Sequence, residues 1–194
     1  MTDINRVKEP QRFVGLHAHS GASTWDGLGY PAEHIDFVTS EAQGMDAWAL
    51  TDHGNGNGLA HANIHARKLQ KSGRKYRQLY GVEFYFVPSL EEWKHQYENR
   101  QVVSKKRKSS KPTSEEDQGG FTIEDESETK SSGKPEWKKY HHLVIIAKNR
   151  VGLGNLFHLV KRSYKEGFYR FPRIDYKMLK EHGEGLVVST ARIG

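Results

Sequence analysis

The sequence predicts an α/β fold in which parallel strands alternate with crossover helices. Short apolar runs alternate with segments of helical periodicity, and metal-ligating or acidic side chains follow several of these runs. In such folds the chemistry gathers at the carboxyl ends of the strands, so residues distant in sequence meet there. The length of 194 residues suits one domain with a sizeable core, although it is short for an eight-unit barrel.

The first predicted strand is Phe13 to Leu16, a buried apolar run that ends in His17-Ala18-His19. Residues two apart on a strand face the same way, so two imidazoles would lie side by side, with Asp26 a short loop away. That arrangement suits a divalent metal. Two surface histidines near a turn are the alternative that this stretch leaves open.

A helix is predicted next, from Pro31 to Gln43, because proline suits the first helical position and Gly44 suits the position after the last. Met45 to Thr51 is a second apolar run and predicts a strand. This run continues into Asp52-His53, so a second strand also ends in potential ligands.

The glycine-rich residues 54–58 lack the Lys-Ser/Thr of a P-loop, so they predict a tight turn from strand to helix. A helix follows over about residues 59–71. The third strand is predicted over Gln78 to Val87, where Gly81 would allow close backbone approach beside Glu83. A buried Glu83 needs a partner or a metal, whereas on a sheet edge it would simply face solvent.

Composition changes over Glu91 to Lys139. A basic run, Lys105 to Lys108, precedes an acidic, serine-rich stretch from Glu124 to Ser132, and apolar residues hardly recur. We therefore interpret residues 91–139 as a mobile, low-complexity charged insertion that buries too little surface to fold. Its acidic block offsets its basic run, which favours a solvated loop over a nucleic-acid contact.

Order returns in a fourth predicted strand, Tyr140 to Ala147. Apolar residues at helical spacing then predict a helix over residues 153–164. Asp175 is placed to cap a short helix that ends before Gly183, and Leu186 to Ser189 begins a fifth strand.

The segment GFYRFPRID, residues 167–175, interleaves aromatic and basic side chains. This pattern suits a nucleotide or phosphate surface, with Arg170 and Arg173 as the candidates for a phosphate or DNA contact. Ordinary packing of Phe168 and Phe171 with peripheral arginines is the equal alternative.

Composition narrows the class of protein. The absence of cysteine excludes disulfides and thiolate zinc sites, so any metal must be held by His, Asp and Glu. The formal net charge of +6 and the isoelectric point near 9.4 favour an anionic partner such as nucleic acid. We expect a cytoplasmic protein that does not contact a membrane, because no apolar run resembles a signal peptide or a membrane span.

Six motifs resemble, in order, those of the polymerase-and-histidinol-phosphatase (PHP) domain at the N-terminus of bacterial and phage DNA polymerase III alpha subunits. They are HAHSGASTWDG, ALTDHGN, YGVEFY, HLVIIAKN, GFYRFPRID and EGLVVS. The resemblance covers Phe13 to Gly194 apart from the insertion. HLVIIAKN and GFYRFPRID are typical of the polymerase branch of the family.

The resemblance implies a distorted, seven-stranded β/α barrel, TIM-like and C-terminally incomplete here, with a cleft for up to three metals (zinc, manganese or iron). By resemblance, Glu83 would share one metal with His17 and His19 and bridge to a second held by His142. Asp26 and His53 would hold the third metal. Asp52 would contact the ligands and not the metal, and would orient them. The family's chemistry at such a cleft is phosphoester or 3′→5′ exonucleolytic hydrolysis.

Departures from the family pattern predict fewer metals than the full complement. Members that bind metal often place Cys or His where this chain has Ala191 and Arg192, and the family's last motif, Asp-x-His, lies beyond Gly194. The expected function is that of the N-terminal PHP region of a replicative polymerase, without the polymerase active site. Its partners would be the remainder of the alpha subunit, DNA and a proofreading exonuclease subunit. A non-catalytic scaffold and a stand-alone phosphatase are the alternatives.

Overall fold

Strands and helices alternate in the computed structural model, which describes residues 13–23, 26–108 and 136–191. The helices are α1 Pro31–Val38, α2 Asn57–Lys71, α3 Leu90–Lys108, α4 Arg150–Glu166 and α5 Tyr176–His182, with a 3-10 turn at Glu136–Lys138. The strands are β1 Ala47–Leu50, β2 Arg77–Phe86, β3 His141–Ala147, β4 Phe168–Tyr169, β5 Phe171–Ile174 and β6 Leu186–Thr190. The predicted α/β class is confirmed.

The sheet is mixed, with β2 at its centre. Strands β1 and β5 both pair with β2 in parallel, whereas β3 pairs with β2 antiparallel. β6 then pairs antiparallel with β3, and β4 antiparallel with β5. The prediction of parallel strands throughout is therefore wrong for β3 and β4. Apolar runs encode burial and not strand direction, so this sequence held no signal for the reversal.

The first predicted strand is reduced to a single bridge. Gly15 pairs in parallel with Trp48 of β1, but no longer strand forms among residues 13–23. Phe13 is 64% exposed and Leu16 is 53% exposed, so the prediction of a buried strand is wrong. Among the described residues, no helix or strand covers the side chains of Phe13 and Leu16 enough to bury them.

The local signals explain where most helices start and stop. Pro31 opens α1, and the Tyr30 backbone N–H donates to the Glu33 carboxylate at 2.7 Å. That helix ends at Val38, five residues before its predicted end. The Asp175 carboxylate accepts from the Met178 backbone N–H at 2.9 Å, which confirms it as the cap of α5. The same carboxylate accepts from the Leu90 N–H at 3.1 Å, so it also fixes the start of α3.

Buried side chains of β2 and β3 form the centre of the core. Val82, Phe84 and Ile145 are each fully buried, and the helices cover them with Ile35 of α1 and Leu156 of α4, among others. Neighbouring residues on a strand face opposite ways, so Glu83 points away from the face of Val82 and Phe84. The core thus holds β2 rigidly while its one carboxylate, Glu83, projects from the other face.

Helix α3 corrects the boundary of the predicted insertion. Residues 91–108 are helical, and Trp93 is 6% exposed. The Trp93 indole N–H donates to the Trp137 carbonyl at 2.8 Å, which ties α3 to the 3-10 turn. The interpretation of residues 91–108 as structureless is therefore wrong, and residues 109–135 lie outside the described part of the chain. Among the helices that the structure describes, none combines the length and apolarity needed to cross a membrane.

Candidate metal centre

The loop after Gly15 is held alongside β1, which places His17 and His19. The Ala49 N–H donates to the Gly15 carbonyl and the Thr51 N–H to the Ala18 carbonyl, both at 2.9 Å. The buried Thr51 hydroxyl also accepts from the Ala18 N–H at 3.0 Å. Because the loop follows β1 residue by residue, its two histidines arrive beside the end of that strand.

Glu83 is the centre of the site. Its side chain is 4% exposed, so the alternative of a solvent-facing edge residue is wrong. Its Oε2 lies 2.5 Å from His17 Nε2, 2.7 Å from His19 Nε2 and 3.5 Å from His53 Nε2. Its Oε1 lies 2.7 Å from His142 Nδ1. One carboxylate thus meets four imidazoles.

His142 reaches the cluster because β3 runs antiparallel. It faces Tyr85 across the β2–β3 ladder, at the amino end of β3. His17, His19 and His53 come from segments at the carboxyl end of the β1 run. Reversing one strand therefore brings its amino end to the edge where the other ligands gather.

Asp26 supplies the second carboxylate. Its Oδ2 lies 2.8 Å from His53 Nε2 and 3.2 Å from His19 Nδ1. The buried Ser23 hydroxyl donates to Asp26 Oδ1 at 2.5 Å and accepts from the His53 N–H at 3.1 Å. Ser23 thus holds both partners, a role that its spacing of three residues before Asp26 could have suggested.

Asp52 lies behind the cluster and acts through Ser20. It is 1% exposed, and it accepts from the Ser20 N–H at 2.6 Å and from the Ser20 hydroxyl at 3.0–3.1 Å. Burial raises the pKa of this carboxyl, and the hydrogen bonds from Ser20 oppose the rise. Since Ser20 directly follows His19, the contact anchors the histidine-bearing loop.

The pKa values of the cluster follow from its packing. Burial disfavours the charge on Glu83, but hydrogen bonds from His142, His19 and His17 outweigh it and hold the pKa well below its ordinary value. Burial also opposes protonation of His19, yet its bond to Glu83 and the nearby carboxylates raise its pKa. At His53 burial dominates and lowers the pKa. The two imidazoles thus differ, because the surroundings favour the proton on His19 and disfavour it on His53.

The donor atoms fall into three overlapping groups that could each hold an ion. They are His17–His19–Glu83, His19–Asp26–His53 and His53–Glu83–His142. All six predicted ligands are therefore brought together, but His19 and His53 each belong to two groups, which the resemblance did not predict. Two donors on one tetrahedral zinc lie about 3.3 Å apart. His17 Nε2 and His19 Nε2, 3.1 Å apart, are close to that spacing.

An open cavity of about 440 Å³ adjoins the cluster. Besides the six ligands, its lining consists of Tyr85, Tyr140, Phe171 and Ala191. Sequence reasoning did not single out Tyr85 or Tyr140 as site residues, although Tyr85 ends the YGVEFY motif. Ala191 also lines the cavity, and its methyl group offers no donor atom.

The two candidate phosphate contacts have different environments. Arg170 is exposed and forms the tip of the β4–β5 hairpin, with a φ of 58°. Arg173 is 3% exposed, donates to the carbonyls of Tyr169 and Phe171 at 2.7 and 2.9 Å, and lies 4.7 Å from the centre of the Trp93 ring. The prediction of a DNA contact by Arg173 is therefore wrong, because its guanidinium is committed to the interior.

The PHP domain model matches residues 15–194. DNA polymerase III alpha subunits are among the similar proteins: that of Aquifex aeolicus is 34% identical over 92% of this chain, that of Borreliella burgdorferi 33% over 94% and that of Treponema pallidum 30% over 90%. The chain spans 11–12% of the length of these relatives. A solved amidohydrolase from Chromobacterium violaceum overlaps 78% of this chain and 33% of its own, with 20% identity and a TM-score of 0.41.

Proposed function

The chain belongs to the PHP domain family, and from that premise we propose that it is the N-terminal PHP region of a replicative DNA polymerase III alpha subunit whose cleft binds divalent metal and hydrolyses phosphodiesters. The role in DNA replication is supported by homologous alpha subunits at 28–34% identity. The proposed partners are the remainder of the alpha subunit, DNA and a proofreading exonuclease subunit.

The observation that carries the proposal is the buried Glu83 carboxylate among four imidazoles. Nitrogen and carboxylate donors in this ratio suit zinc, manganese or iron. The buried His53 Nδ1 has no partner among the described residues, so the protein alone leaves this polar cluster incompletely satisfied. The donor set therefore fits a metal.

Each part of the cluster has a distinct task in this proposal. The histidines and Glu83 would hold the metal, Asp26 would complete the group on the side of His53, and Asp52 would orient the loop through Ser20. A bound metal supplies charge stabilisation at the phosphoryl group and lowers the pKa of a water molecule. Burial lowers the pKa of His53, which favours the neutral imidazole that metal binding requires.

Ala191 favours a second candidate function. By resemblance, metal-binding members of the family often have a Cys or His ligand at the position of Ala191, whose methyl group lines the cavity here. We therefore propose that fewer than three metals bind, and that the cleft serves as a non-catalytic scaffold in this second function.

We also propose that the six described strands are part of the family's seven-stranded barrel. The unpaired edge of β6 in the described sheet supports this proposal.

The substitution Glu83→Gln tests the proposal. Calorimetric titration with Mn²⁺ should show affinity reduced at least tenfold, because the shared anionic ligand is lost, and hydrolysis of bis(p-nitrophenyl) phosphate should fall in parallel. Asp36→Asn is the matched control, since Asp36 pairs with His65 at 2.7 Å on the surface, outside the cluster. Metal binding without hydrolysis by the unsubstituted chain would favour the scaffold. An unsubstituted chain that binds no metal would overturn the metal-dependent function and leave the non-catalytic scaffold.

A further inference from the structure

Three aromatic side chains form one wall of the cavity beside the metal cluster. Tyr85, Tyr140 and Phe171, which we call the aromatic wall, all line it and are all partly exposed. The Tyr85 and Phe171 rings stack with centroids 4.6 Å apart, and Tyr140 meets them at 5.1 and 5.7 Å. Metal ligation and phosphate hydrolysis require none of these rings.

We propose that the aromatic wall is a nucleobase subsite, whose rings hold the base of a nucleotide that has its phosphate at the metal cluster. This inference rests on the proposed function, because it assumes that the phosphate lies at the metal cluster. Aromatic rings bind bases by stacking, whichever the base, since every base has a π face.

The wall is placed at the right side of the cluster for this role. His53 lies 2.8 Å from Asp26 and at the same time stacks on Tyr85, with centroids 5.1 Å apart and planes 18° apart. Tyr85 is stacked on both His53 and Phe171, so a ligand whose phosphate reached the histidines would have its base next to Phe171 and Tyr140. The cavity of about 440 Å³ lies within the range of about 300–1,000 Å³ that is usual for ligand sites.

The β4–β5 hairpin contributes Phe171 to this wall and carries a cationic residue, Arg170. Tyr169 pairs directly with Phe171, so Arg170 alone forms the tip. Its φ of 58° is rare outside glycine, and such backbone strain is concentrated at functional sites. Arg170 is exposed, and it directly precedes Phe171, so the proposal gives it the phosphate of a neighbouring nucleotide.

The competing explanation is plain packing, in which the rings only fill space. The same hairpin offers a matched control: Phe168 is 55% exposed, stacks on Tyr164 and does not line the cavity. A substitution there removes an aromatic ring from the hairpin without touching the proposed subsite.

Calorimetric titration of the full chain with thymidine 5′-monophosphate and with 2-deoxyribose 5-phosphate, both in Mn²⁺, isolates the contribution of the base. We expect the nucleotide to bind on the order of tenfold more tightly. Phe171→Leu should bring the two affinities within about twofold, Phe171→Tyr should restore the difference, and Phe168→Leu should leave it unchanged. If Phe171→Leu lowers the thermal midpoint, Tyr140→Leu replaces it.

The outcomes separate this inference from the proposed function. Equal binding of both ligands by the unsubstituted chain would leave a phosphate site at the cluster and overturn the nucleobase subsite alone. A preference for the nucleotide that survives both Phe171→Leu and Tyr140→Leu would also overturn it. Binding of neither ligand would overturn the subsite together with the proposed function.

Discussion

His19 links metal binding to pH. Burial opposes its protonation, but Glu83 and Asp26 raise its pKa above the ordinary value of 6.5, so it carries a proton at neutral pH more often than a free histidine. A histidine must lose its proton to bind a metal. His53, whose pKa is lowered by burial, is neutral already and adds no proton to the exchange near pH 7.

We therefore predict that the apparent affinity for Mn²⁺ rises with pH from about 6 to about 8 and that binding releases protons. The sign follows from competition, because protons displace metal from a group whose pKa is raised. Calorimetry in two buffers of different ionisation enthalpy measures both quantities. An affinity independent of pH, with no proton released, would mean that His19 is not a ligand.

The predicted ligands were recognisable because each stands in a short motif with few alternatives, as in His17-Ala18-His19 and Asp52-His53. The membership of one ligand in two metal-binding groups was not predictable. Whether His19 serves one group or two depends on side-chain distances of 2.7 and 3.2 Å, which no spacing in the sequence encodes. The prediction of a DNA contact by Arg173 was wrong for a related reason. A basic residue among aromatic ones fits an interior cation–π contact as well as a nucleic-acid surface.

At the scale of the element, α2 starts against the site. A Cβ on Gly58, in its first turn, would lie 2.6 Å from Asp52 Oδ2 and 2.8 Å from Leu50 Cδ2. In contrast, Gly154 in α4 has no heavy atom within 4 Å of its would-be Cβ. Two helical glycines thus differ only in the space around them.

Gly58→Ala should destabilise the fold by about 1–3 kcal/mol, because the methyl group overpacks a buried contact. It should also weaken Mn²⁺ binding, since Asp52 anchors the histidine loop through Ser20. Gly154→Ala is the control and should stabilise α4 by about 0.5–1 kcal/mol through lower chain entropy. Urea unfolding measures both. If the two substitutions have the same sign, the tight packing at Gly58 is absent in solution.

Elements with local signals were the predictable ones. Proline, glycine and Asp175 marked helix ends, and β2 and β3 stood out as apolar runs. Helix α3 was missed because Leu90, Trp93 and Tyr97 recur at helical spacing within a strongly charged segment. Its stability comes from tertiary contacts, such as the bond between Trp93 and Trp137.

At the scale of the whole molecule, the sheet ends in an exposed strand. β6 pairs only with β3 among the described strands, and its Val187 and Val188 are 48% and 47% exposed. Unpaired strand edges with apolar side chains favour association. The strand counts that a sequence can give do not reveal which edge is left open, since edges are set by the order of pairing.

We predict that the chain self-associates as its concentration rises and that Val188→Lys reduces this association, because an edge lysine opposes strand pairing. Val151→Lys is the matched control, since Val151 is 53% exposed on α4. Sedimentation velocity over a series of concentrations measures the effect. A chain that stays monomeric throughout, or an equal effect of both lysines, would show that β6 does not mediate the contact.

The partners of Glu83 are far apart along the chain: His17, His19 and His142 lie 66, 64 and 59 residues from it. Contacts of such separation form only after large loops have closed, so the site should assemble after the folding transition state. An ion bound there would then act on the lifetime of the folded molecule and not on the speed of its formation. In stopped-flow experiments, Mn²⁺ should slow unfolding while the refolding rate stays within about twofold of its metal-free value.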